Sequence, residues 1–148
     1  KMIDTGLPPR LTNILIIDDV ESVRLEMRRN LKKIGLEGKR FQAENGKEAI
    51  SFLEKYKDHR DAPEFIVCDI EMPEANGLEV LNWVRSDSFY KKTPFLMVTT
   101  IDQIDIICEA VNLGSDEYIV KPWDLDTLKQ RVAHCWNKYK QVIQNEED

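Results

Sequence analysis

Short continuous apolar runs recur along the chain, each ended by a charged or hydroxyl residue and followed by a segment with helical spacing. Ile14-Leu15-Ile16-Ile17 is closed by Asp18-Asp19, Phe65-Ile66-Val67-Cys68 by Asp69, Phe95 to Val98 by Thr99, and Tyr118-Ile119-Val120 by Lys121. Runs apolar at every position read as strands of a sheet covered on both faces, not as half-exposed antiparallel strands. The predicted strands are Asn13 to Ile17, a weaker one over Arg40 to Ala43, Phe65 to Asp69, Pro94 to Thr99 and Glu117 to Val120.

Between them lie the helices. Val20 to Ile34 places Val23, Met27, Leu31 and Ile34 on one face, and Gly35 ends it. Asn45-Gly46 turns the chain into a second helix running to about Tyr56, with Ala49, Ile50 and Leu53 inward; Lys57 to Glu64 is then a loop. Gly77 opens a third helix carrying Leu78, Leu81, Trp83 and Val84, Gln103 to Leu113 is the fourth with Gly114 as its stop, and Asp124 to about Gln141 is the last. Residues 1–12, with Pro8-Pro9, read as a loose arm, and 142–148 as an acidic tail that frays, leaving 13–141 as one domain.

Five strands alternating with five helices, joined by crossovers of one hand, give a doubly wound α/β fold with a five-stranded parallel sheet. Ligands of such sheets bind beyond the carboxyl ends of the strands, where strand order reverses. Asp18, Asp19, Asp69, Thr99 and Lys121 all stand at those ends, which turns several weak local signals into one site.

Composition narrows the setting. The chain has 148 residues, with 21 Lys and Arg against 27 Asp and Glu, so the net charge of -6 disfavours nonspecific duplex nucleic-acid binding. Cys68, Cys108 and Cys135 lie among apolar residues without a Cys-x-x-Cys pair, and only His59 and His134 accompany them. Reduced, buried thiols are the expected state, over a disulfide or zinc framework. No apolar stretch is long enough for membrane insertion and no signal peptide is recognisable, so the expected compartment is the cytoplasm.

Three neighbouring carboxylates repel one another until a cation enters. An all-oxygen set suits a hard ion, and Mg²⁺ fits a small site that keeps waters and touches a phosphoryl group. Asp19 and Asp69 are expected to bind it directly, with Asp18 orienting a water or making a weaker contact and the Glu71 backbone carbonyl as a further ligand. Taken alone, Asp18-Asp19 also fits a helix cap with first-turn charge. Lys121 is expected to lower the pKa of Asp69 and pair with a phosphoryl oxygen, while Thr99 donates its hydroxyl to another. In-line attack by Asp69 in such a cage yields an aspartyl phosphate. Alone, Thr99 reads equally as an ordinary strand residue and Lys121 as a solvated lysine before a turn.

These residues resemble the receiver domain of bacterial two-component response regulators, of the kind found alone in chemotaxis signalling. The resemblance spans about Asn13 to Tyr139 and rests on Asp18-Asp19, Asp69 with Met72-Pro73 and Gly77, Thr99, Gly114 to Val120 and Lys121-Pro122. It implies a flavodoxin-like fold with strand order 2-1-3-4-5. It also implies a phosphorelay switch in which Asp69 accepts phosphoryl from a histidine kinase or histidine phosphotransfer protein. Lys121 is then the amine that bridges to Asp69, Thr99 the switch hydroxyl, Tyr118 the aromatic that follows it, and Pro122 a cis-imide proline. A domain of this kind catalyses only its own Mg²⁺-dependent phosphotransfer and dephosphorylation.

Three features depart from the family pattern. Thr100 stands where a very small residue is usual, Glu71 puts a long acid at the mouth of the site, and Lys57 to Glu64 is longer than in a compact receiver. The first two are expected to tune phosphoryl lifetime. The third is expected to lie on the face opposite the site.

Output is expected through the fourth helix, fifth strand and fifth helix, to a downstream protein, an output domain elsewhere in a longer chain, or a second copy forming a homodimer. Ile104, Ile106, Ile107, Cys108, Ala110 and Val111 are more apolar positions than one helix stripe buries, and Trp123 could join that surface, as could Trp136, which more simply packs against the sheet or a neighbouring helix. His134 reads as a surface residue. Two other functions fit less of the pattern: an aspartyl-phosphate phosphatase, with Glu71 as the second acid, and an interaction module independent of phosphorylation.

Overall fold

The structure, a computed structural model, describes residues 6–100, 102 and 104–147. The chain runs β1 (Ile14–Ile17), α1 (Glu21–Lys33), β2 (Arg40–Ala43), α2 (Gly46–Lys55), β3 (Phe65–Asp69), α3 (Gly77–Ser86), β4 (Phe95–Thr99), α4 (Ile104–Asn112), β5 (Glu117–Val120) and α5 (Leu125–Glu147). All strand pairs are parallel, in the order β2-β1-β3-β4-β5. The chain reverses direction across the sheet between β1 and β3, and Asp18 and Asp69 leave the sheet on either side of that crevice.

Alternation explains why the strands are apolar throughout. Leu15, Ile17, Ile66, Cys68, Phe95 and Met97 face one layer with Ala49, Leu53, Val80, Leu81 and Val84 of α2 and α3 and Ile107 and Ala110 of α4. Ile14, Ile16, Phe65, Val67, Leu96 and Val98 face the other, with Met27 and Leu31 of α1 and Leu128, Val132 and Cys135 of α5. Each fully buried aliphatic side chain contributes about 1.5–3 kcal/mol relative to exposure, so the sheet is held at a fixed register by both layers.

Arg85, at the end of α3, closes the far side. Its guanidinium donates to the carbonyls of Gly114, Lys91 and Thr93 and to Asp116 Oδ2, 3.0 Å away, and Asp116 in turn accepts from the Phe95 amide. The start of β4 and the turn into β5 are thereby tied to α3. Lys57 to Glu64 lies at the amino ends of the strands, where the Asn13 carbonyl accepts from the Glu64 amide, away from Asp69 as expected.

Several expectations are corrected. The last helix does not stop at Gln141 but runs to Glu147: Tyr139 stacks on Trp136 with centroids 5.1 Å apart, and Lys92 pairs with Glu146. The acidic end is therefore helical as far as Glu147 and tethered at Glu146, with Asp148 outside the described residues. Cys68 and Cys135 are buried free thiols, whereas Cys108 is free and exposed. On α4, Ile107 and Ala110 are buried and Val111 is 49% exposed. The expected start at Gln103 and the side chain of Ile104 fall outside the described residues. Among the described residues no helix is long and apolar enough to cross a membrane.

Candidate functional site

The site grows out of the carboxyl ends of β1, β3, β4 and β5. Asp18 and Asp69 are nearly buried, at 3% and 6% exposure, and Asp19 faces solvent. One oxygen from each of these three carboxylates lies within 4.8 Å of the other two. Asp18 is fixed on both sides: Oδ1 accepts from the Val20 amide at 2.9 Å, and Oδ2 accepts from Lys121 Nζ at 2.7 Å.

Lys121 reaches Asp69 less closely, at 3.5 Å from Oδ2. The amine was expected to serve Asp69 first, and the structure instead seats it on Asp18. Burial disfavours the ammonium, but the hydrogen bond to Asp18 and the charges of Asp69 and Asp18 outweigh it, leaving the Lys121 pKa raised.

Lys121 lowers the Asp69 pKa as expected, but it is not the largest influence on that carboxyl. Burial and the neighbouring Asp18 charge push its carboxyl up to about 6, more than Lys121 pulls it down. Desolvation is the largest effect, and it depends on packing, which the order of charges along the chain does not reveal. A second cation in place of a proton would relieve that repulsion, and three carboxylates are the donor set a hard divalent ion takes.

A pocket of about 160 Å³ opens on the other side of Asp69, lined by Asp69, Ile70, Glu71, Thr99, Thr100 and Lys121. A single water needs only about 10–15 Å³ on this measure, so a phosphoryl group with waters fits. Thr99, 1% exposed, donates its hydroxyl to the Thr100 carbonyl at 3.1 Å, while its own carbonyl accepts from the Lys121 amide at 2.7 Å. Glu71 is exposed and Thr100 half-buried, so both departures from the family pattern do sit on the pocket wall.

Two backbone features hold Asp69 in place. A Cβ on Gly77 would lie 2.3 Å from the Asp69 carbonyl oxygen, so α3 can begin this close to Asp69 only without a side chain there. Between them Glu74 and Ala75 adopt left-handed φ values of 48° and 73°, and their carbonyls accept from the amides of Lys47 and Gly46 at the start of α2. Behind the site, burial pushes the Cys68 thiol well up, and its Sγ donates to the Asp69 carbonyl, so it offers no competing nucleophile.

The Lys121-Pro122 peptide is cis. Trp123 does not join the α4-β5-α5 surface: its Nε1 donates to Asn30 of α1 at 2.8 Å and its ring packs on the layer beneath α1 and α5. Tyr118 is half-buried on β5 and packs against the other layer. Unforeseen from sequence was Arg131, whose guanidinium carbon lies 5.1 Å from the Tyr118 ring centroid. The two residues stand on different elements, so no local pattern signals their contact.

A doubly wound sheet bearing a buried acid, two companion acids and a lysine at its switch point defines an aspartate-centred phosphoryl site in architecture. The chain belongs to the response regulator receiver domain family, whose model matches residues 14–133. It is 34% identical over 119 residues to chemotaxis protein CheY1 of Helicobacter pylori, covering 80% of this chain and 92% of that one. It is 34% identical over 125 residues to chemotaxis protein CheY of Pseudomonas aeruginosa, covering 84% and 96%. The chemotaxis response regulator CheY4 of Vibrio cholerae superposes with a TM-score of 0.72 at 29% identity, covering 84% of this chain and 98% of that chain. A receiver domain protein from Clostridium thermocellum, at 20% identity and a TM-score of 0.75 over 89% of this chain and 99% of its own, shares the fold. The chain is thus a phosphorelay signalling receiver. Mg²⁺ binding in an acidic pocket and phosphorylation are general properties of its family.

Proposed function

We propose that Asp69 accepts a phosphoryl group from the phosphohistidine of a kinase or phosphotransfer protein, and that the resulting charge redistributes the α4-β5-α5 surface toward a partner. The observation that carries this is the placement of Asp69: nearly buried, 3.5 Å from Lys121, and opening on a pocket large enough for the incoming group. An Asp69 oxygen attacks phosphorus in line, the P–O bond forms as the P–N bond breaks, and the departing histidine nitrogen keeps the electron pair.

Asp18, Asp19 and Asp69, with the Glu71 carbonyl, would hold Mg²⁺ here. When bound, the ion supplies positive charge to a phosphoryl oxygen. Lys121 pairs with a second oxygen, and Thr99 turns its hydroxyl from the Thr100 carbonyl to the third. Thr99 then vacates space near the end of β4, and Tyr118 moves in response. Hydrolysis of the acyl phosphate by water resets the domain, which turns over no separate metabolite. Glu71 and Thr100 set how readily donor and water reach the phosphorus.

The test is incubation with Mg²⁺ and either acetyl phosphate or a phosphohistidine donor, read by intact mass. One phosphoryl mass on the native chain and none on Asp69→Asn supports the proposal. No added mass with either donor overturns it.

A further inference from the structure

β5 is one of the two edge strands of the sheet, and its two faces meet different helices. Tyr118 packs against the layer that holds α4, while Arg131 belongs to α5 on the opposite layer. Arg131 nevertheless reaches around the open edge and lies over the Tyr118 ring at 5.1 Å.

Glu117 holds it there. Its Oε1 is 3.3 Å from Arg131 Nη1 and also accepts from the Tyr118 amide at 3.1 Å, and its Oε2 is 3.0 Å from His134 Nδ1. Glu117 is thus joined to the backbone of the residue whose side chain Arg131 covers. The placement is costly, because Arg131 Nε is buried with no hydrogen-bond partner among the described residues. The Glu117 pair and the aromatic face are the interactions that offset that cost.

We infer that Arg131 is a positioning residue for the switch: anchored by Glu117, it clamps Tyr118 in its resting rotamer and so sets how much phosphorylation is needed to move it. The inference rests on the proposed Tyr118 route for its consequence, but the clamp exists in the unphosphorylated protein and is testable there. A cation over an aromatic face biases an equilibrium by about two- to fivefold, provided the contact differs between the two states. Lysine at this position keeps the charge but cannot lay a planar guanidinium on the ring while paired to Glu117.

The experiment follows the Tyr118 ring by NMR in protein carrying ¹³C-tyrosine, with Tyr118→Phe for assignment and Tyr90, buried elsewhere, as an internal control. In metal-free protein, Arg131→Ala and Glu117→Gln should each move the Tyr118 ring signals and leave Tyr90 in place, with Arg131→Lys intermediate. In a titration with Mg²⁺ and beryllofluoride, a phosphoryl analogue, the Tyr118 midpoint should fall about two- to fivefold in Arg131→Ala. Ring signals and midpoint unchanged from the native chain overturn the clamp, as does a loss of thermal stability without any movement of Tyr118. A native chain that binds the analogue with no response at Tyr118 overturns the Tyr118 route, while the metal-free ring signals still decide whether Arg131 positions the side chain.

Discussion

Lys121 sits 2.7 Å from Asp18 and 3.5 Å from Asp69, so the amine is seated on the companion acid and only leans toward the acceptor. Asp18 is thereby paired from within the protein, and Lys121 stays close enough to meet a phosphoryl oxygen on Asp69 with a small displacement.

Replacing Lys121 with Met should slow phosphorylation on the order of 10²-fold, the loss typical of one charge-stabilising donor at a reacting oxyanion. It should also raise the Asp69 pKa further, since the cation that lowers it is gone. Phosphoryl mass against time, with a circular dichroism control for folding, checks the first point, and carboxyl ¹³C titration checks the second.

Metal-free stability should depend on Asp69 protonation. Its folded pKa is about 6 against an ordinary 3.8, so the folded chain holds the proton more tightly than the unfolded one, and stability falls as pH rises between these values. Asp69→Asn should therefore be roughly 1–3 kcal/mol more stable than the native chain at pH 7.5 and show no gain below pH 4. Urea unfolding in a chelator at the two pH values measures this. Equal stability at pH 7.5 would contradict the burial cost.

Mg²⁺ should stabilise the native chain by about 2.7 kcal/mol at a hundred times its dissociation constant. Asp19→Asn removes the negative charge of one exposed ligand and should weaken Mg²⁺ by about tenfold or more, because affinity follows ligand charge. Its unfolding in chelator should match the native chain, since an exposed carboxylate contributes little to the core. Calorimetric titration and thermal melts report the two effects.

Thr100→Ala keeps the carbonyl that accepts the Thr99 hydroxyl and removes side-chain bulk from the pocket wall. Phosphorylation by a small donor and loss of the phosphoryl group should both quicken by about threefold or more, a barrier change below roughly 1.4 kcal/mol. A phosphoryl half-life equal to that of the native chain would show that Thr100 does not control access.

The strands were legible because burial on both faces leaves a continuous apolar run, and the residues ending those runs were legible as a site because parallel strands place their carboxyl ends together. Asp18, Asp69, Thr99 and Lys121 are legible this way, and Glu71 and Thr100 through their departure from the family pattern beside them. The last turns of α5 were not: Glu146-Glu147-Asp148 looks like a frayed tail until Lys92, 54 residues away, is seen to pair with Glu146. Cys108 was misplaced for a similar reason, since an apolar neighbourhood in sequence does not say which side of α4 meets the sheet.

By itself the sequence determined the order and type of the elements, the parallel sheet, and the residue types delivered to its carboxyl edge, because these follow from backbone periodicity and the short reach of each crossover. Only the tertiary structure decided that Lys121 belongs first to Asp18, across 103 positions, that burial outweighs Lys121 at the Asp69 carboxyl, and that Arg131 lies over Tyr118. Those outcomes depend on distances of a few ångströms and on how far water is excluded. Both are set when helices close over the sheet, and neither is written in the spacing of residues along a strand.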